Sequence, residues 1–295
     1  SAHIKLVAML ASKDQQGRFF GILDGGRGLI EALLATIAIA LFAYMLRQDA
    51  GSTKLALQQV IYLYVVVLLI VSPLVYWLLD DLEAEGNQSK EINESVFIDD
   101  LKDVLSRREI WLCAICIVCG YQLFYATYSF AAYLQQNFSL TAVMVGYITV
   151  AKLWMRPIGG IAAGFIGDWA NPEKVLSILL VLASLSMGLM VIVPVNSAAV
   201  LMTVIVLLIG LLTYGVRGLY WATLGGCNVP NKIKGLAIGI ISVIGYFPEV
   251  YLPLLSAPLI ENYPGGLGYK IYYLIMSACG ILGAYAAYLL SKPNN

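Results

Sequence analysis

Arg27, Lys152, Arg156 and Arg217, together with Asp24, Glu31 and Glu249, all fall inside long apolar runs. A charge at bilayer depth costs about 2.5–3.5 kcal/mol on insertion scales, so such residues face a protein interior or an aqueous path. Their types suit the holding of a polar solute. Arginine binds planar anions through two parallel hydrogen bonds, and a carboxyl at this depth can serve as a proton carrier. No Ser-His-Asp set, phosphate loop or zinc-ligand spacing accompanies them, and the sole histidine is His3. The pattern implies no enzyme, no metal and no cofactor. Net charge is zero, so no nucleic-acid partner is implied.

The elements that must position these residues are membrane helices. Hydrophobic residues make up 60% of the 295-residue chain and charged ones 12%, against about 25% charged in soluble domains. A bilayer core takes about 20 helical residues to cross. Eight stretches qualify: 19–46, 57–79, 110–134, 141–166, 174–194, 198–224, 235–260 and 270–291. The fold class is all-α, a polytopic helical membrane protein.

Assigning loops alternately places Lys5, Lys13, Arg18, Lys90, Lys102, Arg107, Arg108, Lys174, Lys232, Lys234 and Lys292 on one side, against Arg47, Lys54 and Lys270 on the other. Under the positive-inside rule the richer side is cytoplasmic, and so is the C-terminus. Residues 80–109 carry ten acids and read as a charged linker, with a short amphipathic helix at 96–107. Cys113, Cys116 and Cys119 repeat every third residue in an apolar helix and read as small buried hydrophobes. Ser1 stands where a start Met is expected and residues 1–11 read as the tail of a helix. The sequence is therefore expected to lack an N-terminal part.

Within the spans, spacing suggests groupings. Tyr121, Tyr125 and Tyr128 share a helical face with Gln122 beside them, as either packing or a binding platform. Lys152 and Arg156 are four apart and share a face. Asp24, Arg27 and Glu31 could form a local set, since 27 and 31 are one turn apart. Glu249 could carry a proton or pair with Lys152. Gly17 and Gly21 open one span as Gly235 and Gly239 open another, and at that offset Glu31 falls opposite Glu249. Such an echo suggests a repeated half.

The most specific string is Arg156-Pro157-Ile158-Gly159-Gly160-Ile161-Ala162-Ala163-Gly164-Phe165-Ile166-Gly167-Asp168. It resembles the G-x-x-x-D signature of the major facilitator superfamily, in the copy between its eighth and ninth helices. The usual arginine-rich continuation is replaced by Trp169-Ala170-Asn171-Pro172-Glu173-Lys174. Two further stretches, Gln16 to Gly28 and Arg217-Gly218-Leu219-Tyr220-Trp221-Ala222 with Ile244 to Glu249, resemble the YihN-like branch, which often has Asp where Glu249 stands. The resemblance covers the whole chain, as the end of helix four through helix twelve.

It implies a major facilitator fold: 1–79 as the end of an N-terminal bundle, 80–109 as a cytoplasmic linker and 110–295 as a six-helix C-terminal bundle. The implied activity is secondary active transport by alternating access. The embedded charges, four positive against three negative, favour a small anionic organic solute such as a sugar acid, carboxylate or sugar phosphate. A neutral sugar, or a sensor that binds without transporting, remains the alternative. Arg217, Arg156, Lys152, Tyr121, Gln122, Tyr125 and Tyr128 are the candidate substrate residues. Glu249, Glu31, Arg27 and Asp24 are the candidate proton-coupling or charge-pair set, and Gly164 and Asp168 a gating loop. The expected partners are the solute, a proton and membrane lipid. The expected setting is a bacterial inner membrane, as a monomer when full length.

Overall fold

With no water at bilayer depth, the backbone must satisfy its own N–H and C=O groups, and the apolar runs become helices. A computed structural model describes residues 2–12, 15–48, 52–79, 94–194, 198–227 and 229–292. Among these there are helices and no strands: α1 (Ala2–Leu10), α2 (Gln16–Gln48), α3 (Thr53–Leu79), α4 (Glu94–Ser106), α5 (Arg108–Ala126), α6 (Phe130–Asn137), α7 (Ala142–Ala170), α8 (Pro172–Ile192), α9 (Ala199–Leu219), α10 (Asn231–Tyr246), α11 (Pro248–Asn262) and α12 (Leu267–Leu290). The expected amphipathic helix is α4. Residues 80–93 of the expected linker lie outside the described residues.

Seven described segments are long and apolar enough to cross a membrane. The eighth expected span, 141–166, forms the 29-residue α7 but falls outside that set, because Lys152, Arg156 and several glycines dilute its apolar character. Three expected spans are interrupted. Thr127–Ser129 forms a 3-10 turn between α5 and α6, and Tyr220–Gly225 is 3-10 after α9. The span at 235–260 divides into α10 and α11 at Pro248, a residue with no N–H to continue the ladder.

The chain falls into two compact units, residues 1–32 with 100–295, and residues 33–99. In the larger, α8 packs on α12 and α9, α5 on α12 and α10, and α7 on α9. Its core holds Leu123, Leu176, Leu180, Met187 and Met276, with Cys113, Cys116 and Cys119 buried among them. In the smaller, α3 leaves Leu68, Leu69, Ile70, Tyr76 and Trp77 exposed, an apolar surface of the kind that lipid covers.

α7 is the helix that organises the larger unit. One of its small-residue faces meets α9: Gly159 lies against Leu211 and Gly215, and Ala163 against Gly215. Its other face meets α2. A side chain at Gly17 would strike the Gly164 carbonyl, and one at Gly21 the Gly160 carbonyl. Contacts then pass from Gly25 with Pro157 and Ile161 to Gly28 with Arg156. Numbers rise along α2 as they fall along α7, so the two helices cross antiparallel and backbone to backbone. Such small-residue approach is how membrane helices associate.

Candidate functional site

The close crossing brings acids of α2 onto a base of α7. Arg156 donates from Nη2 to Asp24 Oδ1 at 2.7 Å and from Nε to Asp24 Oδ2 at 3.2 Å. Its Nη1 donates to Glu31. Gly28 leaves the room its stem occupies. All three guanidinium nitrogens are thus engaged by two carboxylates. Side-chain exposure is 7% for Arg156, 12% for Asp24 and 42% for Glu31. The expected local set of Asp24, Arg27 and Glu31 does not form: the two acids turn to α7, and Arg27 is exposed with no ion-pair partner among the described residues. Residues one turn apart share a face, but the close approach of α2 and α7 at Gly28 brings the Arg156 guanidinium onto both acids.

Arg217, at the end of α9, reaches the same acid. Its Nε donates to Asp24 Oδ1 at 3.2 Å, the oxygen Arg156 already holds. Its guanidinium carbon lies 4.2 Å from the centre of the Phe124 ring and 5.7 Å from that of Tyr121. Stacking on an aromatic face contributes up to about 2 kcal/mol once desolvated. The two terminal nitrogens have no hydrogen-bond partner among the described residues.

Beside this pair lies a small, narrow cleft. Its polar lining is Asp24, Arg27 and Arg217, with Tyr220, Trp221 and Tyr246 on one wall and Ile4, Phe20 and Leu23 on the other. Trp221 Nε1 donates to the Tyr246 hydroxyl at 3.1 Å.

Other expected site residues divide into those near the cleft and those away from it. The tyrosine stripe forms, with ring centres 6.4 Å apart for Tyr121–Tyr125 and 5.5 Å for Tyr125–Tyr128. The 3-10 turn carries Tyr128 out to 57% exposure while Tyr121 and Gln122 are buried. Tyr121 touches the cleft wall edge-on through Tyr246, at 4.9 Å between ring centres. Its hydroxyl donates to Glu249. Glu249 sits in the first turn of α11, where the helix dipole favours an acid, and it is exposed.

Lys152 pairs with neither Glu249 nor the Arg156 cluster. Its ammonium donates to Thr127 Oγ1 at 3.0 Å and to the Thr127 carbonyl at 3.3 Å, capping the negative end of α5, and its stem fills the space left by Gly210. Lys152 and Arg156 share a helix face in projection, yet Thr127 at the end of α5 holds one side chain and the acids of α2 the other. Lys152 lies outside the cleft lining.

Gly164 and Asp168 are not in a loop: α7 continues to Ala170. Asn171, at φ 80°, caps α8 instead, its side chain accepting from the Glu173 and Lys174 amides. Asp168 caps α2, accepting from the Gly17 amide at 2.6 Å, the Arg18 amide at 3.0 Å and Arg18 Nε at 2.9 Å. The Arg18 side chain is 40% exposed, so the ion pair itself adds little. Asp168→Ala is expected to lower unfolding stability in detergent by about 1–2 kcal/mol, the value of a lost N-cap. Asp168→Asn, which keeps an acceptor, should lose less; equal losses would show that the cap is not the source.

Phe20, Trp221 and Tyr246 are cleft residues that spacing did not single out. One signal was available: Trp221 follows Arg217 by four residues, a single helical turn.

A family description, Major Facilitator Superfamily, matches residues 1–253. "Inner membrane protein YqcE" of Escherichia coli (strain K12) is 28% identical, over 99% of this chain and 69% of its own length. "Inner membrane protein YihN" of the same organism is 26% identical, over 98% of this chain and 69% of its own length.

Proposed function

The chain belongs to the Major Facilitator Superfamily and is a multi-pass membrane protein; from that premise we propose that it carries a small organic anion across the membrane by alternating access. The observation that supports this reading most is Arg217, on the Phe124 ring with two nitrogens unengaged by any described residue, facing a cleft also lined by Arg27, which has no ion-pair partner among the described residues. Arg27, Arg156 and Arg217 against Asp24 and Glu31 leave one positive charge around the cleft, which fits a monoanion such as a sugar acid or small carboxylate. Arg156 is fully engaged by acids, so the substrate role falls to Arg217 and Arg27, with Trp221 and Phe20 meeting the apolar face of the solute. In this reading 1–79 belongs to one rocking bundle and 110–295 to the other, with 80–109 the cytoplasmic linker and the C-terminus on the cytoplasmic side.

Proteoliposomes loaded with gluconate should show counterflow of labelled gluconate and not of glucose. The aromatic wall also favours a second reading, a neutral sugar stacked on Trp221; glucose counterflow would select it. Binding with no counterflow of either solute would select a sensor.

A proton is the proposed coupling ion, with Glu249 as its carrier and the Tyr121 hydroxyl as the group that orients it. Glu249→Gln is then expected to abolish accumulation driven by a pH gradient while leaving counterflow within about twofold, since exchange needs no net proton movement. Full pH-driven accumulation in that variant would remove Glu249 from the role.

A further inference from the structure

Asp24 is the only described acid that touches Arg217, and it does so with an oxygen already bound to Arg156. The two contacts are unequal. Arg156 holds both oxygens of Asp24, at 2.7 and 3.2 Å, whereas Arg217 offers one nitrogen at 3.2 Å. Arg217 therefore has the weaker claim on the acid, and it is the one whose remaining donors are unengaged beside the cleft.

We propose that Asp24 is an internal stand-in for the substrate anion. Asp24 occupies Arg217 through Nε; an entering carboxylate takes Arg217 side-on, through Nε and one terminal nitrogen, and leaves Asp24 on Arg156 alone. The carboxylate of the chain and that of the solute thus compete for one guanidinium, and the affinity for the solute is set by that competition. The exchange strands no acid: Asp24 remains paired through both of its oxygens with Arg156 when Arg217 leaves it. Glu31 has no such part. It touches Arg156 and not Arg217, so it acts on the cleft only through long-range charge.

This inference rests on the anion reading, and the test separates the two. Gluconate and glucose would be titrated by calorimetry into the purified full chain and into Asp24→Asn, Glu31→Gln and the double variant Asp24→Asn/Arg156→Met. If Arg217 is held by Asp24 about nine-tenths of the time, freeing it tightens gluconate roughly tenfold. Asp24→Asn is expected to show that gain, and Glu31→Gln, which removes the same charge, no more than about a threefold change by screened long-range charge. The double variant removes one charge of each sign and keeps the local net charge at its original value. It too should bind gluconate about tenfold more tightly, and it decides the matter if the single Asn variant fails to fold. Gluconate affinity that falls on loss of Asp24, or that rises equally in Glu31→Gln, would overturn the stand-in role and leave Asp24 a positioning residue. Equal affinity of the unaltered chain for gluconate and glucose would instead overturn the anion reading, and the stand-in role with it.

Discussion

Arg156→Met is expected to destabilise the folded chain by about 3–5 kcal/mol, the cost of stranding buried charge when one partner is removed. Most of the loss arises at Asp24, only 12% exposed and bound through both oxygens. Glu31, at 42% exposure, contributes less because solvent screens it. The remaining contact to Asp24 is the single Arg217 nitrogen. Denaturant or thermal unfolding in detergent would measure this, and Asp24→Asn/Arg156→Met should recover much of the stability, since the carboxylate then left without Arg156 is the more exposed Glu31. A loss below about 1 kcal/mol, the scale of an exposed pair, would show that the cluster is hydrated and does not hold α2 to α7.

Arg217→Gln is expected to remove anion binding with little effect on neutral solutes. At a hundredfold excess over Kd, a ligand stabilises the folded state by about 2.7 kcal/mol. Gluconate should therefore raise the unfolding stability of the unaltered chain by about that amount and that of the variant by less than about 1 kcal/mol at the same concentration. Truncating one partner of a buried charge contact costs about 2–5 kcal/mol, so affinity should fall by about thirtyfold or more. Arg217→Lys should rescue poorly, because an ammonium is a point charge without a planar fork and stacks less well on Phe124. Stabilisation by glucose that is unchanged in Arg217→Gln would make the embedded charges structural and favour the neutral-sugar reading.

The two experiments probe different links of one network. Arg156 is the hub that joins α2 to α7, whereas Arg217 is the branch that faces the cleft. In the linear sequence they look alike, each an arginine in an apolar helix next to glycine or proline. What separates them is engagement: three donors of Arg156 are taken by acids, against one of Arg217.

The sequence made legible which charges are embedded, that the chain is a bundle of membrane helices, and, through the Arg156–Asp168 string, the superfamily. Asp168 was legible as the end of a family signature, but its place inside α7 was not. A helix end depends on a cap, and Asn171 at positive φ supplies it three residues later. The breaks after Ala126 and Leu219 were also missed, because apolar periodicity continues through them. The one at Pro248 carried its own signal.

Class, helix content and family rest on properties summed over twenty or more neighbouring residues, and the sequence alone determined them. Tertiary structure decided the pairings: Asp24 with Arg156 and Arg217, 132 and 193 positions away, Lys152 with a carbonyl in place of an acid, and Arg27 with no ion-pair partner among the described residues. Charge type says that an embedded arginine needs a partner. Which partner it meets depends on how α7 is rotated and how closely α2 and α9 approach it, and those are set by glycine contacts between helices far apart in the chain.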